Sequence, residues 1–328
     1  MHALYLADGQ LTLHNDYPRP EPGPDEALIR VALAGICSTD LELVKGYAGG
    51  FGGVLGHEFV GVVEAVGSAE AADWVSQRVV GGINLGCRRC AVCLGEGPEH
   101  CPNRTTLGIH NKDGVFADYV TLPVVNLLAV PDGVADEEAV FTEPLAAALR
   151  IREQIAVRPS ARAAVVGPGR LGLLVAQVLA LAGTDVTVLG RRAESLELPR
   201  QLGLATGLVA EAADDSFDLV VEATGNDAGL AHSLRLARPR GTLVLKSTFA
   251  GQAHVNLTKL VVGEITVVGS RCGPFAPALR LLERGAVQVR PLIEAEYPLA
   301  DGLAAFEHAA RPGVRKVLLR PDGAERLN

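Results

Sequence analysis

Four cysteines form the densest group of potential metal ligands in the chain. Cys87, Cys90, Cys93 and Cys101 lie within fifteen residues and have the spacing C-x2-C-x2-C-x7-C. Four thiolates in one short segment can close a tetrahedral site around zinc, and such a site is structural because no position stays open for a substrate. An iron–sulfur cluster is the alternative, since ferredoxins share the C-x2-C-x2-C start and the proline after the last cysteine. The long last gap favours zinc.

Cys37, His57 and Glu58 form a second, sparser set of possible ligands. Cys37 lies in Gly-Ile-Cys-Ser-Thr-Asp after an apolar run, and His57 and Glu58 lie in Gly-His-Glu-Phe-Val-Gly. A thiolate, an imidazole and one acid or second thiolate would hold zinc and leave one position open. Glu143, in Phe-Thr-Glu-Pro-Leu, is a further candidate for the acid. Taken singly, a buried cysteine or a structural histidine would give the same pattern.

A glycine-rich turn predicts a binding site for a dinucleotide. The apolar run 163–166 ends in Gly-Pro-Gly-Arg-Leu-Gly, and an apolar helical pattern follows at once. Gly167 permits the tight turn, Gly169 lets the backbone approach a pyrophosphate, and Gly172 lets the helix pack closely on the strand. Arg170 and Leu171 belong to the same turn, and the helix N-terminus offers free N–H groups to phosphates. The alternative is a glycine turn that binds another ligand or none.

The residues that end the second strand of this unit favour NADP over NAD. The run 185–189 is followed by Gly190, Arg191 and Arg192, and the next acid is Glu194. An acid near the end of this strand would bind the ribose 2′-hydroxyl of NAD. Two guanidinium groups can instead bind a 2′-phosphate, with Gly190 leaving room for it. The alternative is a pair of solvated arginines that discriminate little.

Two regions with different patterns must position these residues. Residues 1–147 carry short apolar runs broken by Gly, Pro and Asp, which indicates a mainly β region. From 148 to 285, strands and helices alternate, which predicts an α/β, doubly wound parallel sheet. The six strand candidates of this sheet are 163–166, 185–189, 207–210, 217–222, 241–246 and 265–269. The segment 286–328 adds another strand, a short helix and a last strand.

Composition excludes several classes of function. The 328 residues are 48% hydrophobic and carry a net charge of −8, which argues against nucleic-acid and membrane partners. The first residues indicate a strand instead of a signal peptide, and the longest apolar helical run is too short to cross a bilayer. Six cysteines without a secretory signal suit a cytoplasmic protein with metal-bound thiols.

The whole chain resembles the zinc-dependent medium-chain alcohol and polyol dehydrogenases. The motifs that carry the resemblance occur in the family's order: 35–40, 56–61, the four-cysteine segment, 112–120, the glycine turn and 314–319. The resemblance implies a GroES-like catalytic domain, residues 1–147 and 286–328, around a Rossmann domain, residues 148–285. It also implies two zinc ions per chain, one catalytic and one structural, and a homodimer or homotetramer.

The resemblance assigns roles around the catalytic zinc. Cys37 and His57 match zinc ligands, and Glu58 matches the acid beside the metal. Glu143 stands where polyol dehydrogenases of the family also have Glu, and it would bind zinc directly or through water. Asp40 matches the acid that orients the histidine ligand.

The resemblance also implies a path for the substrate proton. Thr39 matches the hydroxyl that takes this proton. Many members carry a histidine three residues later to end the relay, but this chain has Glu42 there. Glu42 or water would therefore release the proton to solvent.

Further positions are assigned to the cofactor by resemblance. Thr224 and Gly225 follow the fourth strand and are expected near it, and Arg315 matches an arginine near the pyrophosphate, unless Lys316 is meant. The predicted reaction is hydride transfer between a small alcohol, such as a polyol, sugar or secondary alcohol, and NADP. The alternatives are a zinc-free reductase of double bonds and a non-catalytic relative that binds a nucleotide.

Overall fold

The chain forms two compact units in a computed structural model that describes residues 1–47, 50–248 and 252–321. The first unit comprises Met1–Glu143, Ala278–Arg284 and Leu292–Asn328, and the second comprises Pro144–Pro277 and Gly285–Pro291. The sequence predicts changes of domain after residues 147 and 285. In the structure the first change follows Glu143, and the chain then passes between the units three more times before the C-terminal strands.

The first unit is mainly β, as the short apolar runs predict. Its elements in chain order are β1 (Ala3–Ala7), β2 (Gln10–His14), β3 (Glu26–Gly35), α1 (Ser38–Val44), β4 (Gly53–Val54), β5 (Glu58–Val66), β6 (Arg78–Gly81), β7 (Asn84–Leu85), α2 (Ala91–Gly95), β8 (Thr105–Thr106), β9 (Tyr119–Pro123), β10 (Leu127–Ala129) and α3 (Asp136–Ala139). β3, β5 and β6 coincide with apolar runs of the sequence at 26–34, 60–66 and 77–80.

The second unit alternates strands and helices. Its elements are α4 (Thr142–Gln154), which begins at the boundary, then β11 (Arg162–Val166), α5 (Arg170–Ala180), β12 (Asp185–Gly190), α6 (Glu197–Gln201), β13 (Ala205–Leu208), β14 (Phe217–Glu222), α7 (Asp227–Leu236), β15 (Ala237–Leu245), α8 (Leu257–Val262), β16 (Thr266–Gly269) and α9 (Phe275–Glu283), which ends in the first unit. The last elements return to the first unit as β17 (Ile293–Pro298), α10 (Gly302–Ala309) and β18 (Lys316–Arg320).

A seven-stranded sheet brings three distant parts of the first unit together. Its order is β10-β6-β5-β3-β18-β17, with β9 also paired to β3. At the end of β3, Gly35 stands in register with Glu58 of β5 and with Leu318 of β18. The start of β5, the end of β3 and the start of β18 therefore meet at one place, although β18 lies some 260 positions further along the chain.

The sheet of the second unit is fully parallel. Its order is β13-β12-β11-β14-β15-β16, which is 3-2-1-4-5-6 when counted from β11, as in dinucleotide-binding domains. β11 and β14 are buried along most of their length, because a central parallel strand is covered on both faces. The doubly wound prediction is thus confirmed, and the carboxyl ends of β11 and β14 form the switch point where such sheets bind ligands.

Among residues 1–47, 50–248 and 252–321, every helix is too short or too polar to cross a bilayer.

Candidate functional sites

The turn after β3 places Cys37 and Asp40. Cys37 has an extended backbone and caps the N-terminus of α1, and its N–H donates to Oδ2 of Asp40 at 2.8 Å. Asp40 is completely buried. The acid of the first helical turn therefore fixes the backbone that carries the thiol, as Asp does at helix N-termini.

Cys37, His57 and Glu58 converge in the first unit. One ligand atom of each lies within 4.8 Å of the others, and His57 and Glu58 are buried. A thiolate, an imidazole nitrogen and a carboxylate oxygen at this spacing suit one zinc ion. Glu143 is outside this group. The three residues thus fit a metal with three protein ligands and one open position.

Asp40 orients the imidazole of His57. Its Oδ1 lies 3.2 Å from Nδ1 of His57, which leaves Nε2 as the nitrogen available to a metal. Burial lowers the pKa of His57, but the negative charge of Asp40 at 3.2 Å, with a smaller effect of Cys37, raises this pKa well above its usual value overall. A cation is therefore favoured at this imidazole, whether a proton or a metal ion.

Lys316 is part of the same group of side chains, and the sequence did not indicate this. Its Nζ donates to Oε2 of Glu58 and, at 3.3 Å, to the carbonyl oxygen of Ile36, and both charged side chains are at most 2% exposed. A Cβ on Gly35 would lie 2.6 Å from Oε2 of Glu58 and 3.2 Å from Cδ of Lys316. Gly35 thus makes room for a buried ion pair that includes Glu58, one of the candidate metal ligands.

Thr39 and Glu42 lie on α1 beyond Cys37. The Oγ1 of Thr39 lies 3.8 Å from Sγ of Cys37, so the hydroxyl is next to the thiol. Oε1 of Glu42 pairs with Nζ of Lys45 at 2.8 Å. Glu42 is therefore an ion-paired acid on the same helix, and its part in proton release stays a prediction.

The four cysteines of the segment 87–101 also converge. Their sulfur atoms all lie within 4.8 Å of one another, and Sγ of Cys90 and of Cys101 are 3.8 Å apart. A tetrahedron of thiolates about 2.3 Å from zinc has sulfur atoms about 3.8 Å apart. Cys90 caps α2 and accepts from the N–H of Cys93 at 3.4 Å. This geometry suits one ion held by four thiolates.

The thiols of this cluster differ in their affinity for protons. Backbone N–H groups of Arg89 and Cys90 lower the pKa of Cys87 to about 6, and the N–H of Cys87 lowers the pKa of Cys101. Removal from water raises the pKa of Cys93 to about 12. The backbone N–H groups around Cys87 and Cys101 therefore favour the thiolate, which is the form that binds a metal.

The glycine turn of the second unit has the close contacts that its pattern predicts. Gly167 has φ +111°, and a Cβ on it would lie 2.6 Å from the carbonyl oxygen of Ala223. A Cβ on Gly172 would overlap the carbonyl oxygen of Gly167, whereas one on Gly169 would have no neighbour within 4 Å. Arg170 and Leu171 open α5. Gly169 is thus the position where backbone is left open to a phosphate.

At the end of β12, Gly190 has a packing role that the sequence did not predict. A Cβ on Gly190 would lie 2.7 Å from Oγ of Ser195 and 2.9 Å from Cδ2 of Leu196, so this glycine is already required by packing. Arg191 and Arg192 are both exposed, and neither pairs with an acid among the residues that the structure describes. Both guanidinium groups therefore stay available to an anion.

Two further expected cofactor residues lie in different units. Thr224 follows β14, and its Cγ2 would lie 3.1 Å from a Cβ on Gly167, so it adjoins the glycine turn. Arg315 belongs to the first unit, where its Nη1 lies 3.6 Å from Oε2 of Glu294. The expected contact of Arg315 with a pyrophosphate stays a prediction.

Comparisons with known proteins agree with this architecture. Residues 23–132 match the alcohol dehydrogenase GroES-like domain, and residues 171–284 match the zinc-binding dehydrogenase domain. Sorbitol dehydrogenase of Halalkalibacterium halodurans is 31% identical over 324 residues, which cover 93% of this chain and 94% of the relative.

Two solved structures share the fold over the whole length. A zinc-binding dehydrogenase of Sinorhizobium meliloti bound to NADP is 30% identical, with a TM-score of 0.89 and coverage of 98% of this chain and 99% of the other. The RspB alcohol dehydrogenase of Escherichia coli complexed with NADH is 26% identical, with the same TM-score and coverage.

The fold and these residues define a dehydrogenase built from a GroES-like unit and a Rossmann unit. The chain belongs to the zinc-type medium-chain alcohol and polyol dehydrogenases, a family of alcohol oxidoreductases that use a nicotinamide nucleotide.

Proposed function

We propose that the protein is a zinc-dependent oxidoreductase that transfers a hydride between a small alcohol and NADP. The observation that carries this proposal is the convergence of Cys37, His57 and Glu58 within 4.8 Å in a chain that also has an open glycine turn at the head of α5. Sorbitol dehydrogenase is among the relatives, which supports a polyol, a sugar or a secondary alcohol as the substrate.

The chain's own residues have separable tasks in this reaction. Bound zinc would act as a Lewis acid on the alcohol or carbonyl oxygen, and the nicotinamide would accept or donate the hydride. Cys37 and His57 would hold the metal, while Asp40 keeps the imidazole in one orientation. Thr39, whose hydroxyl lies beside the thiol of Cys37, would take the alcohol proton. The cluster of Cys87, Cys90, Cys93 and Cys101 would hold a second, structural zinc.

A substrate screen tests this proposal. Zinc-loaded protein is assayed with polyols, sugars and secondary alcohols against NADP and NAD, and with the corresponding ketones against the reduced cofactors. We expect turnover of at least one alcohol and about two zinc ions per chain. Protein without zinc that reduces an activated double bond would identify the alternative reductase. Binding of nucleotide without any turnover would identify a non-catalytic relative.

Arg191 and Arg192 are predicted to determine the preference for NADP. Both are exposed and unpaired among the described residues, so a 2′-phosphate can engage them without breaking an ion pair. Replacing both with alanine should lower kcat/KM for NADP about 10- to 100-fold through lost charged hydrogen bonds, with little change for NAD. Steady-state kinetics with both cofactors measure this effect.

A matched control for the arginine variant is Arg240→Ala, because Arg240 is an exposed arginine of the same unit that pairs with Glu264 at 3.4 Å. It should leave both cofactors unaffected. A wild-type kcat/KM that is higher for NAD than for NADP would contradict the predicted preference.

We also propose that the second unit pairs with a second copy of the chain. β16 is the last strand of its sheet, and α8 before it exposes Val261 and Val262 by 76% and 78%. An edge strand has unpaired backbone groups that a strand of a second chain can bind, and exposed apolar side chains favour burial in such an interface. We expect a dimer in analytical ultracentrifugation at micromolar concentration, and a monomer for the double variant Val261→Asp and Val262→Asp. A monomeric wild type would contradict pairing.

A further inference from the structure

Glu222 is a buried acid outside both groups of metal ligands. It ends β14, and its side chain is 3% exposed. Its Oε1 accepts from the N–H and the hydroxyl of Thr224, both at 2.6 Å, and from the N–H of Gly225 at 3.2 Å. Its Oε2 accepts from the hydroxyl of Ser247 at 2.6 Å. These four residues are called the Glu222 cluster below.

The Glu222 cluster joins the segments that follow two neighbouring strands. Thr224 and Gly225 follow β14, whereas Ser247 follows β15, and the N–H of Gly225 also donates to Oγ of Ser247 at 3.0 Å. A carboxylate removed from water is costly unless its oxygens are hydrogen-bonded. Here both oxygens of Glu222 accept hydrogen bonds. These bonds stabilise the buried charge, and they also hold the two segments in one arrangement.

The position of the Glu222 cluster in the sheet indicates which ligand it could help to bind. The carboxyl ends of parallel strands form the ligand-binding edge of a doubly wound sheet, with the pyrophosphate at the glycine turn after the first strand. Gly167 of that turn packs against Ala223 and Thr224. The Glu222 cluster therefore adjoins the glycine turn and lies on the β14 side of the switch point.

The two halves of a dinucleotide lie on opposite sides of the glycine turn. The adenosine half extends towards the end of the second strand, here β12 with Arg191 and Arg192, because the ribose 2′ position is recognised there. The nicotinamide half must then extend the other way, across the ends of β14 and β15. These are the two ends that the Glu222 cluster joins.

We propose that Glu222 is a positioning residue for the nicotinamide half of the cofactor. It acts by fixing the backbone of Thr224 and Gly225 and the hydroxyl of Ser247. The adenosine half of the cofactor lies on the other side of the glycine turn and does not depend on Glu222. This inference rests on the proposed use of a nicotinamide dinucleotide.

Two substitutions at Glu222 separate the effect of its hydrogen bonds from the effect of its negative charge. In Glu222→Gln, the amide oxygen can replace Oε1 and keep the three bonds to Thr224 and Gly225, while the amide N–H donates to Ser247 in place of Oε2. Glu222→Ala removes all these acceptors, so the N–H of Thr224 loses its partner and the N–H of Gly225 keeps only its bond to Oγ of Ser247. Gln should therefore preserve the arrangement, and Ala should lose it.

The experiment compares affinity for a whole dinucleotide with affinity for its adenosine half. Calorimetry measures binding of NADPH and of adenosine 2′,5′-bisphosphate to the full chain. We expect Glu222→Ala to weaken NADPH about tenfold or more and to leave the bisphosphate within about twofold of wild type. Glu222→Gln should stay near wild type for both, and Ser247→Ala should show a smaller loss for NADPH alone.

A matched control lies on the same strand at its other end. Asp218 also accepts a backbone N–H, from Arg162 at 2.8 Å, and a guanidinium N–H, from Arg238 at 2.7 Å. Asp218→Asn should leave the ratio of the two affinities unchanged, whatever it does to stability.

Three results would overturn the inference: equal weakening of both ligands in Glu222→Ala, no weakening of NADPH, or a Gln variant that behaves like Ala. If Glu222→Ala does not fold, the ratio measured for Ser247→Ala decides, and an unchanged ratio there overturns the inference. Wild-type protein that binds NADPH but oxidises no alcohol would refute the proposed function and leave this test intact. Wild-type protein that binds no dinucleotide would overturn both.

Discussion

Replacing Cys37 with serine should lower alcohol oxidation by about 10³-fold or more, because the substrate oxygen loses its Lewis acid. Serine is a poor zinc ligand, and His57 and Glu58 alone would hold the metal weakly. Metal analysis should show a fall from about two zinc ions per chain to about one. Affinity for NADPH should stay at the wild-type value, because the glycine turn belongs to the other unit.

The matched control for this variant is Cys272→Ser, the same substitution at the cysteine outside both groups of ligands. It should keep both zinc ions and full activity. Cys101→Ser should also lose one zinc ion, but from the four-thiolate cluster. Its lower stability should distinguish it from Cys37→Ser. Activity that survives in Cys37→Ser at full metal content would refute the proposed catalytic site.

Sequence patterns predicted the elements and residues that depend on local spacing. The run 217–222 coincides with β14, because a buried parallel strand is one apolar segment between turn residues. The cysteines at 87, 90, 93 and 101 converge because their spacing lets one short segment surround an ion. The prediction of a strand from 241 misses the first residues of β15, which begins at Ala237.

The misplaced start of β15 has a physical cause. Pro239 and Gly241 are turn residues, so the pattern argues against a strand before 241. In the sheet, Ala237 nevertheless pairs with Phe217, and the register shifts before Leu219 pairs with Thr242. The neighbouring strand thus overrides local preference, and a bulge accommodates the turn residues.

Contacts between distant residues could not be predicted. Glu58 and Lys316 are 258 positions apart, and they meet only because β5 and β18 both lie at the end of β3. In the sequence, Lys316 is one lysine before an apolar run, which is equally typical of a surface strand. Ser247 and Glu222 meet in the same way, through the pairing of β14 with β15.

Lys316→Met should lower the free energy of unfolding of the first unit by about 3–5 kcal/mol, the cost of removing one partner of a buried ion pair. Methionine fills a similar volume but removes the ammonium group that pairs with the buried carboxylate of Glu58. Urea denaturation followed by the fluorescence of Trp74 measures this effect, because the single tryptophan lies in the first unit.

The control for Lys316→Met is an exposed pair of the same type in the same unit. Lys45 contacts Glu42 at 2.8 Å, and its side chain is 64% exposed, so Lys45→Met should change stability by less than about 1 kcal/mol. The double variant of Lys316→Met with Glu58→Gln should recover most of the loss, because no buried charge is left unpaired.

Zinc should distinguish the structural effect of Lys316 from its effect on the candidate metal site. Without Lys316, the Glu58 carboxylate loses its lysine partner, so a metal ion held with Cys37 and His57 would balance more of its negative charge. Added zinc should therefore stabilise Lys316→Met more than wild type, relative to protein treated with a chelator. The double variant should lose this extra gain. An equal gain in all three proteins would show that Glu58 interacts with Lys316 alone and has no part in holding the metal.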